Sequence, residues 1–152
     1  MGLIQRLLTD IITERPARRA TWQRQIADLE ASGASIQARC AKASGSARNI
    51  DQLRHVIGIE RWGQSRLRVA LGAPLTTDEY DGYRPEDIGD WSSLTTAFTA
   101  TRAATVALVR ELQAAGVDRS RLIPHNQMGA LSVGGWLQYL RLHAGLESKL
   151  IR

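Results

Sequence analysis

This sequence has very little cysteine and no long apolar runs. Cys40 is the single cysteine among 152 residues, which excludes an internal disulfide and a cysteine-rich zinc site. No apolar run approaches the roughly 18 residues that a membrane helix requires. The first residues also lack the long apolar core of a secretory signal peptide. These absences predict a cytoplasmic protein with no membrane contact.

Dense clusters of one charge and phosphate-binding loops are missing as well. The formal net charge is +5, but the arginines do not alternate with aromatic side chains, and no motif of DNA-binding or RNA-binding proteins occurs. Arg54, Arg61 and Arg68 recur every seventh residue, which is typical of the solvated ridge of one helix. Gly-rich phosphate loops and lipidation motifs are absent. We therefore expect no nucleic-acid partner.

What the sequence does contain is helical periodicity. Its length is that of one domain, residues 1–152, and its apolar content of 43% suffices for a core without cross-links. Residues 1–15 are predicted to form a short N-terminal helix or an extension of the next one, since proline follows. Four longer helices are predicted from about Pro16 to about Ala43, from Asn49 as N-cap to Leu71, from Trp91 to Ala115, and from a Ser132 cap to the C-terminus.

Two irregular stretches separate the later helices. Residues 72–90 are rich in Gly, Pro, Asp and Tyr, which favours turns over a helix or a paired strand. Residues 117–131 are also irregular, and alternating apolar residues at strand spacing are scarce throughout. Long connections allow two consecutive helices to run parallel to each other. The pattern therefore predicts an all-α four-helix bundle that departs from simple up-down-up-down order.

Ionisable residues occur on the apolar faces of three predicted helices. His143 and Glu147 lie in the middle of the apolar stripe of the last helix, and His55 faces inward in the second. Glu60 lies among leucines of the second helix, and Arg102 lies near the centre of the stripe of the third. A buried ionisable group is costly unless it is paired, hydrogen-bonded or bound to a metal. The fold must therefore compensate for these residues.

Two kinds of compensation are open. Glu60 and Arg102 could form an internal ion pair that holds two helices in register, and a lone inward histidine is more often a core residue than a ligand. His143 and Glu147, however, are four residues apart, so they project from successive turns and can reach one ion. Together with His55 they form a His2Glu set. Three protein ligands leave a coordination position for water or substrate, as in catalytic metal sites.

Other residues of interest have simpler explanations. Cys40 is expected to be a packing residue, and Trp136 and Tyr139 flank the ligand face of the last helix as core residues. His125 could line the entrance to the site, but a histidine in an irregular stretch beside Pro124 is more often exposed to water. We therefore expect His125 to be solvated.

The chain resembles the DinB/YfiT-like superfamily of bacterial four-helix-bundle metalloproteins over about residues 49–152. The resemblance is carried by LRHVIGIERW, by DEYDGYRP, by the arginine of FTATRAATVALVREL and by PHNQMGALSVGGWLQYLRLHAGLE. It implies one metal-binding histidine early in the second helix and two ligands four residues apart in the last, which here are His55, His143 and Glu147. The usual last ligand is a second histidine, so Glu147 departs from the common pattern. The resemblance also implies an up-down-down-up chain path and a homodimer.

The resemblance further implies an activity. Characterised enzymes of the superfamily include thiol-dependent transferases and isomerases, in which a metal would lower the pKa of the cofactor sulfur. This predicts a divalent-metal-dependent enzyme that acts on a small electrophile with a low-molecular-weight thiol. Zinc and nickel are the first candidate metals. Iron and manganese are also possible, because the carboxylate oxygen of Glu147 shifts the preference away from softer ions. Arg102 would hold a carboxylate of cofactor or substrate, and Glu60 would orient Arg102 or a ligand.

A non-catalytic protein is the alternative. In that interpretation the chain is a stress-associated helical-bundle dimer without metal, and His143 and Glu147 form hydrogen bonds with Arg102 or His55. The two interpretations predict different metal contents, one divalent ion per chain against none.

Overall fold

The structure, a computed structural model, describes residues 7–152 and is mostly helical. A π-helical turn, Asp10–Glu14, leads into a short helix α1, Arg15–Arg19. The longer helices are α2 (Trp22–Lys42), α3 (Ala47–Arg68), α4 (Trp91–Ala114) and α5 (Val133–Glu147). Two strands, β1 (Leu122–His125) and β2 (Gly129–Ser132), pair in an antiparallel hairpin. The predicted N-terminal helix falls partly on residues 1–6, which lie outside the described residues.

The first predicted long helix is two helices. Ala20 is extended (φ −81°, ψ 155°) and ends α1. The Thr21 hydroxyl then accepts a hydrogen bond from the backbone amide of Arg24 at 3.1 Å and so caps α2. Arg119 donates to the carbonyls of Ala17 and Ala20, which satisfies acceptors that the break exposes. The prediction of one continuous helix from Pro16 was therefore wrong.

The second predicted helix begins three residues early. Ser46 is the cap of α3, because its hydroxyl accepts from the amide of Asn49 at 3.2 Å. The side chain of Asn49, the predicted cap, donates instead to the carbonyl of Arg152 at 2.6 Å. At the other end, a 3-10 turn over Val69–Leu71 follows α3, and Gly72 ends it with φ +98°. The predicted stop at Gly72 is confirmed, since this left-handed conformation favours glycine.

The last two helices begin where the sequence predicts. Asp90 caps α4, and the chain leaves that helix at Gly116, whose φ is +67°. The Ser132 hydroxyl accepts from the amide of Gly135 at 2.9 Å and caps α5. Short polar side chains at these N-termini satisfy amides that have no partner inside the helix.

The hairpin was not predicted. In β1, Ile123 and His125 are buried while Leu122 and Pro124 are exposed, which is the period-two pattern of a strand with one face on the core. Pro124 and Gly129, the first residue of β2 (φ +78°), give this stretch the composition of a loop. The expectation that residues 117–131 are wholly irregular was therefore wrong.

The core lies where α2 and α3 each pack against both α4 and α5. Trp62, Trp136 and Leu108 are in one buried apolar cluster, and Leu53 and Phe98 are in another. Both clusters draw on α3 and α4. Within residues 7–152, no helix is long and apolar enough to cross a membrane.

The close approach of α3 and α5 depends on a glycine. A Cβ built on Gly63 would lie 2.5 Å from the Cδ2 atom of Leu140, which is closer than two carbon atoms can pack. The missing side chain therefore lets the two helices that carry the predicted metal ligands come together.

Candidate metal centre

The three predicted metal ligands meet in the fold. His55 comes from α3, whereas His143 and Glu147 come from the last two turns of α5. One candidate ligand atom from each of the three lies within 4.8 Å of the other two. All three residues are half-buried. We call these residues the His-His-Glu group, and it could hold a metal ion.

The distance between the two histidines fits a metal of tetrahedral geometry. Their Nε2 atoms are 3.3 Å apart. Zinc binds imidazole nitrogen at about 2.0–2.1 Å, so two nitrogens at a tetrahedral angle are separated by roughly 3.3–3.4 Å. The two rings would therefore need little rearrangement to bind one such ion through their Nε2 atoms.

The protonation state of His143 also suits a ligand. Burial, the largest cause, and the nearby His55 together lower its pKa to about 4, and the carboxylate of Glu147 acts in the opposite direction. The imidazole is consequently neutral at pH 7, which is the form that binds metals. Its Nδ1 atom is buried and has no hydrogen-bond partner among the described residues.

Glu147 is held by a residue of the facing helix. The side-chain amide of Gln52 donates to Oε2 of Glu147 at 2.8 Å and to its backbone carbonyl at 3.3 Å. Within the described part of the chain, Gln52 is the hydrogen-bond partner of this carboxylate. Glu147 is also the last residue of α5, where the helix dipole favours a bound cation.

Aromatic rings cover part of the group. Tyr80 meets the ring of His55 edge to face at 5.1 Å, and the ring of Tyr139 lies 5.8 Å from that of His143. Both tyrosines also line a small cavity of about 40 Å³. Burial raises the pKa of Tyr139 to about 12, so this phenol carries no charge at neutral pH. The two tyrosine rings thus lie between the small cavity and the two histidines, and the ring of Tyr139 is uncharged.

His125 is buried, with only 7% of its surface exposed. Its ring packs at 5.0 Å from Trp62 and 4.9 Å from Tyr139, and its Nδ1 accepts from the amides of Gln127 and Met128 at 3.2 and 3.3 Å. Burial lowers its pKa to about 4. The expectation of a solvated His125 was wrong, because β1 turns this side chain inward and into the wall of the cavity.

Glu60 and Arg102 form a separate cluster. The guanidinium contacts both carboxylate oxygens, at 2.7 and 2.9 Å, and donates to the Leu29 carbonyl at 2.8 Å. Thr105 donates to Glu60 at 2.7 Å. Glu60 is 1% exposed and Arg102 is 3% exposed. The internal ion pair is therefore confirmed.

The ion pair corrects the role expected of Arg102. Its Nε and Nη2 atoms both donate to Glu60 and its Nη1 atom donates to the Leu29 carbonyl, so the edge that binds a carboxylate through two hydrogen bonds already holds one. Glu60 orients Arg102, as expected, but none of the hydrogen bonds described for either residue reaches the His-His-Glu group.

Sequence reasoning missed Gln52 and Tyr80. Gln52 lies three residues before His55, and side chains at this spacing share a helix face, so its place beside the group was open to prediction. Tyr80 lies in a 3-10 turn within the connection from α3 to α4. Neither periodicity nor spacing indicates where such a connection packs.

Comparison of the chain with protein-family models, with curated proteins and with solved structures finds no match. The similarity to DinB/YfiT-like proteins therefore stays a prediction, and the function has to be argued from the geometry of the group.

Proposed function

We propose that this protein is a DinB-like, divalent-metal-dependent enzyme whose metal is held by His55, His143 and Glu147. The observation that carries the proposal is the 3.3 Å separation of the two Nε2 atoms, in a group whose three residues each offer a ligand atom within 4.8 Å of the other two. Two imidazoles and one carboxylate are a known donor set of catalytic zinc, and this set leaves a position for substrate.

The proposal extends to the chain path. We propose a four-helix bundle in up-down-down-up order. Packing of α2 and α3 against both α4 and α5 supports a bundle. The connection from Val69 to Asp90, between α3 and α4, is long enough to let these helices run parallel.

The donor atoms favour particular metals. Imidazole nitrogen suits zinc, nickel and iron, whereas a carboxylate oxygen also suits manganese. With two nitrogens against one oxygen, zinc and nickel are the first candidates. Two neutral imidazoles and one carboxylate also leave a divalent ion with a net positive charge, which strengthens its attraction for an anionic ligand such as a thiolate.

The proposed reaction joins a low-molecular-weight thiol to a small electrophile, or uses the thiol to isomerise one. A divalent cation in the group would lower the pKa of the thiol. In the transfer, a bond forms between sulfur and the electrophilic carbon, the bond to the leaving group breaks, and the thiol proton passes to solvent. The chain contributes neutral His143 and a Glu147 held by Gln52.

One observation favours the second candidate function, a stress-associated, non-catalytic dimer. The 3.3 Å distance between His55 and His143 also fits a hydrogen bond between the two rings, and Glu147 already has a partner in Gln52. In this interpretation the group is a polar network that binds no metal.

Elemental analysis separates the two functions. The protein, purified without a metal-binding tag and incubated with zinc, is compared with His143→Ala and Glu147→Ala. Glu111→Ala removes an exposed carboxylate from α4 and is the matched control. We expect about one ion per chain in the parent and in the control, and loss of the ion in the other two variants. A parent that binds none of zinc, nickel, iron or manganese would leave the non-catalytic function.

An activity assay then tests the chemistry. Zinc-loaded protein is mixed with a small thiol and an aryl chloride, and thioether formation is followed by absorbance. We expect a rate above the uncatalysed reaction that disappears in His143→Ala. A zinc-loaded parent with no effect on a panel of thiols would restrict the proposal to metal binding.

The homodimer is also a proposal. Four apolar side chains near the N-terminus are 44 to 54% exposed, namely Leu7, Leu8, Ile11 and Ile12. Covering such side chains removes apolar surface from water, which favours association. Sedimentation velocity that shows a monomer at micromolar concentration would refute the dimer.

A further inference from the structure

We infer that Gln52 is a positioning residue that makes Glu147 a one-oxygen ligand, and that the site thereby selects a four-coordinate ion such as zinc over a six-coordinate ion such as manganese. This inference rests on the proposed metal site. It assigns a role to a residue outside the ligand set, and it explains how a glutamate can stand where the resembling proteins usually have a histidine.

The contacts of Gln52 tie the carboxylate to the facing helix. Both hydrogen bonds of its side-chain amide, at 2.8 and 3.3 Å, go to Glu147, one to the carboxylate and one to the backbone carbonyl. Gln52 is half-buried and lies three residues before His55, on the same face of α3. One short segment of α3 therefore supplies a candidate ligand and the group that orients another.

The hydrogen bond restricts how Glu147 can bind. Its Oε2 atom is engaged by the amide, so Oε1 is the better donor to an ion. Ions with six or more oxygen ligands often take both oxygens of a carboxylate, whereas four-coordinate zinc takes few ligands at short distances. Fixing one oxygen thus disfavours the bidentate arrangement more than the monodentate one.

The hydrogen-bond partner of Glu147 carries no charge, which suits a carboxylate that is to bind a cation. Gln52 is neutral, so it orients the carboxylate without cancelling the charge that attracts a cation. Glu60 illustrates the opposite case, because both of its oxygens are taken by the cationic Arg102. Of these two glutamates, Glu60 is therefore closed to metals and Glu147 is left available.

The test compares the affinities of zinc and manganese, measured by competition with a chromophoric chelator. Gln52→Leu removes the amide at similar size, Gln52→Glu keeps the shape but replaces the donor by a second carboxylate, and Gln37→Leu on the exposed surface of α2 is the matched control. For Gln52→Leu we expect a loss of zinc affinity of about 10- to 100-fold and a smaller loss for manganese. Gln52→Glu should move the preference further toward manganese, and Gln37→Leu should change neither affinity.

The ratio of the two affinities is the decisive readout, because a general loosening of the fold lowers both alike. Equal losses of zinc and manganese affinity in Gln52→Leu, or unchanged affinities, would overturn the positioning role while leaving the metal site intact. A parent protein that binds neither ion would overturn the metal site itself. Gln52→Glu keeps the test valid should the leucine variant fold poorly.

Discussion

Glu60 and Glu147 are both carboxylates at the interior of the helical fold, yet their surroundings differ. Glu60 is 1% exposed and is matched by Arg102 on both oxygens, with Thr105 as a further donor. Glu147 is half-buried, has the neutral Gln52 on one oxygen, and lies beside two imidazoles. The protein's own cation therefore offsets the cost of burying the charge of Glu60, whereas no cation of the described residues is paired with Glu147.

The comparison suggests how polar residues inside a fold can be sorted. A cluster whose donors and acceptors are matched internally is a structural element, since removal of one member leaves a buried charge. A cluster with a neutral partner, a carboxylate oxygen that no cation within residues 7–152 matches and partial exposure has capacity left for a ligand. The next two experiments probe this difference and a third probes the buried His125, in order of decreasing effect.

Breaking the ion pair should have the largest effect. Arg102→Ala leaves the buried carboxylate of Glu60 without its cation, and we expect a loss of about 3–5 kcal/mol in the free energy of unfolding. The control is Arg110→Ala, which removes an ion pair with Glu30 in which both side chains are more than half exposed. This control should cost at most about 1 kcal/mol. Similar urea midpoints for the two variants would contradict the structural role of the pair.

Adding metal should act on the other cluster alone. A ligand that binds only the folded state at 100 times its dissociation constant adds about 2.7 kcal/mol to the free energy of unfolding. We expect zinc to stabilise the parent and Arg110→Ala by this amount and Glu147→Ala not at all, as measured by urea unfolding with and without a chelator. Equal stabilisation of Glu147→Ala would show that zinc binds elsewhere.

The contribution of the buried His125 to acid sensitivity should be the smallest effect when the pH is lowered only to about 5. The pKa of His125 is about 4 in the folded protein and about 6.5 in an unfolded chain. The unfolded state therefore binds more protons between these values, and stability falls as the pH drops from about 6.5 to about 4. His125→Asn retains an acceptor for the two backbone amides and should show a shallower fall in urea unfolding with chelator present. An unchanged slope would mean that His125 is not neutral in the fold.

Much of the fold follows from local chemistry. Ser132 and Gly72 mark a helix start and a stop because a hydroxyl cap and a left-handed glycine act within one turn. The break at Ala20 was not predictable in this way, since its carbonyl is capped by Arg119, which is 99 residues away in sequence. The hairpin was missed because Pro124 hides the alternation of a four-residue strand.

The candidate site likewise has features that could be predicted from the sequence and features that could not. The spacing of His143 and Glu147 and the inward face of His55 follow from helical periodicity, and the structure brings the three together. Periodicity says which residues point inward, but not which inward residues meet. For that reason it left Arg102 as a candidate near the site, although its partner is Glu60.

The glycine at the crossing of α3 and α5 has a consequence for the spacing of the His-His-Glu group. Gly63 and its neighbour Leu140 determine how closely the backbones of the ligand-bearing helices approach, and the two imidazoles lie on those same helices. A methyl group at residue 63 would require the buried Leu140 side chain to shift or the helices to move apart, and moving them apart would lengthen the span between the nitrogens. In the proposed metal site, the preferred ion radius would then depend on hydrocarbon contacts, through substitutions that never touch a candidate ligand atom.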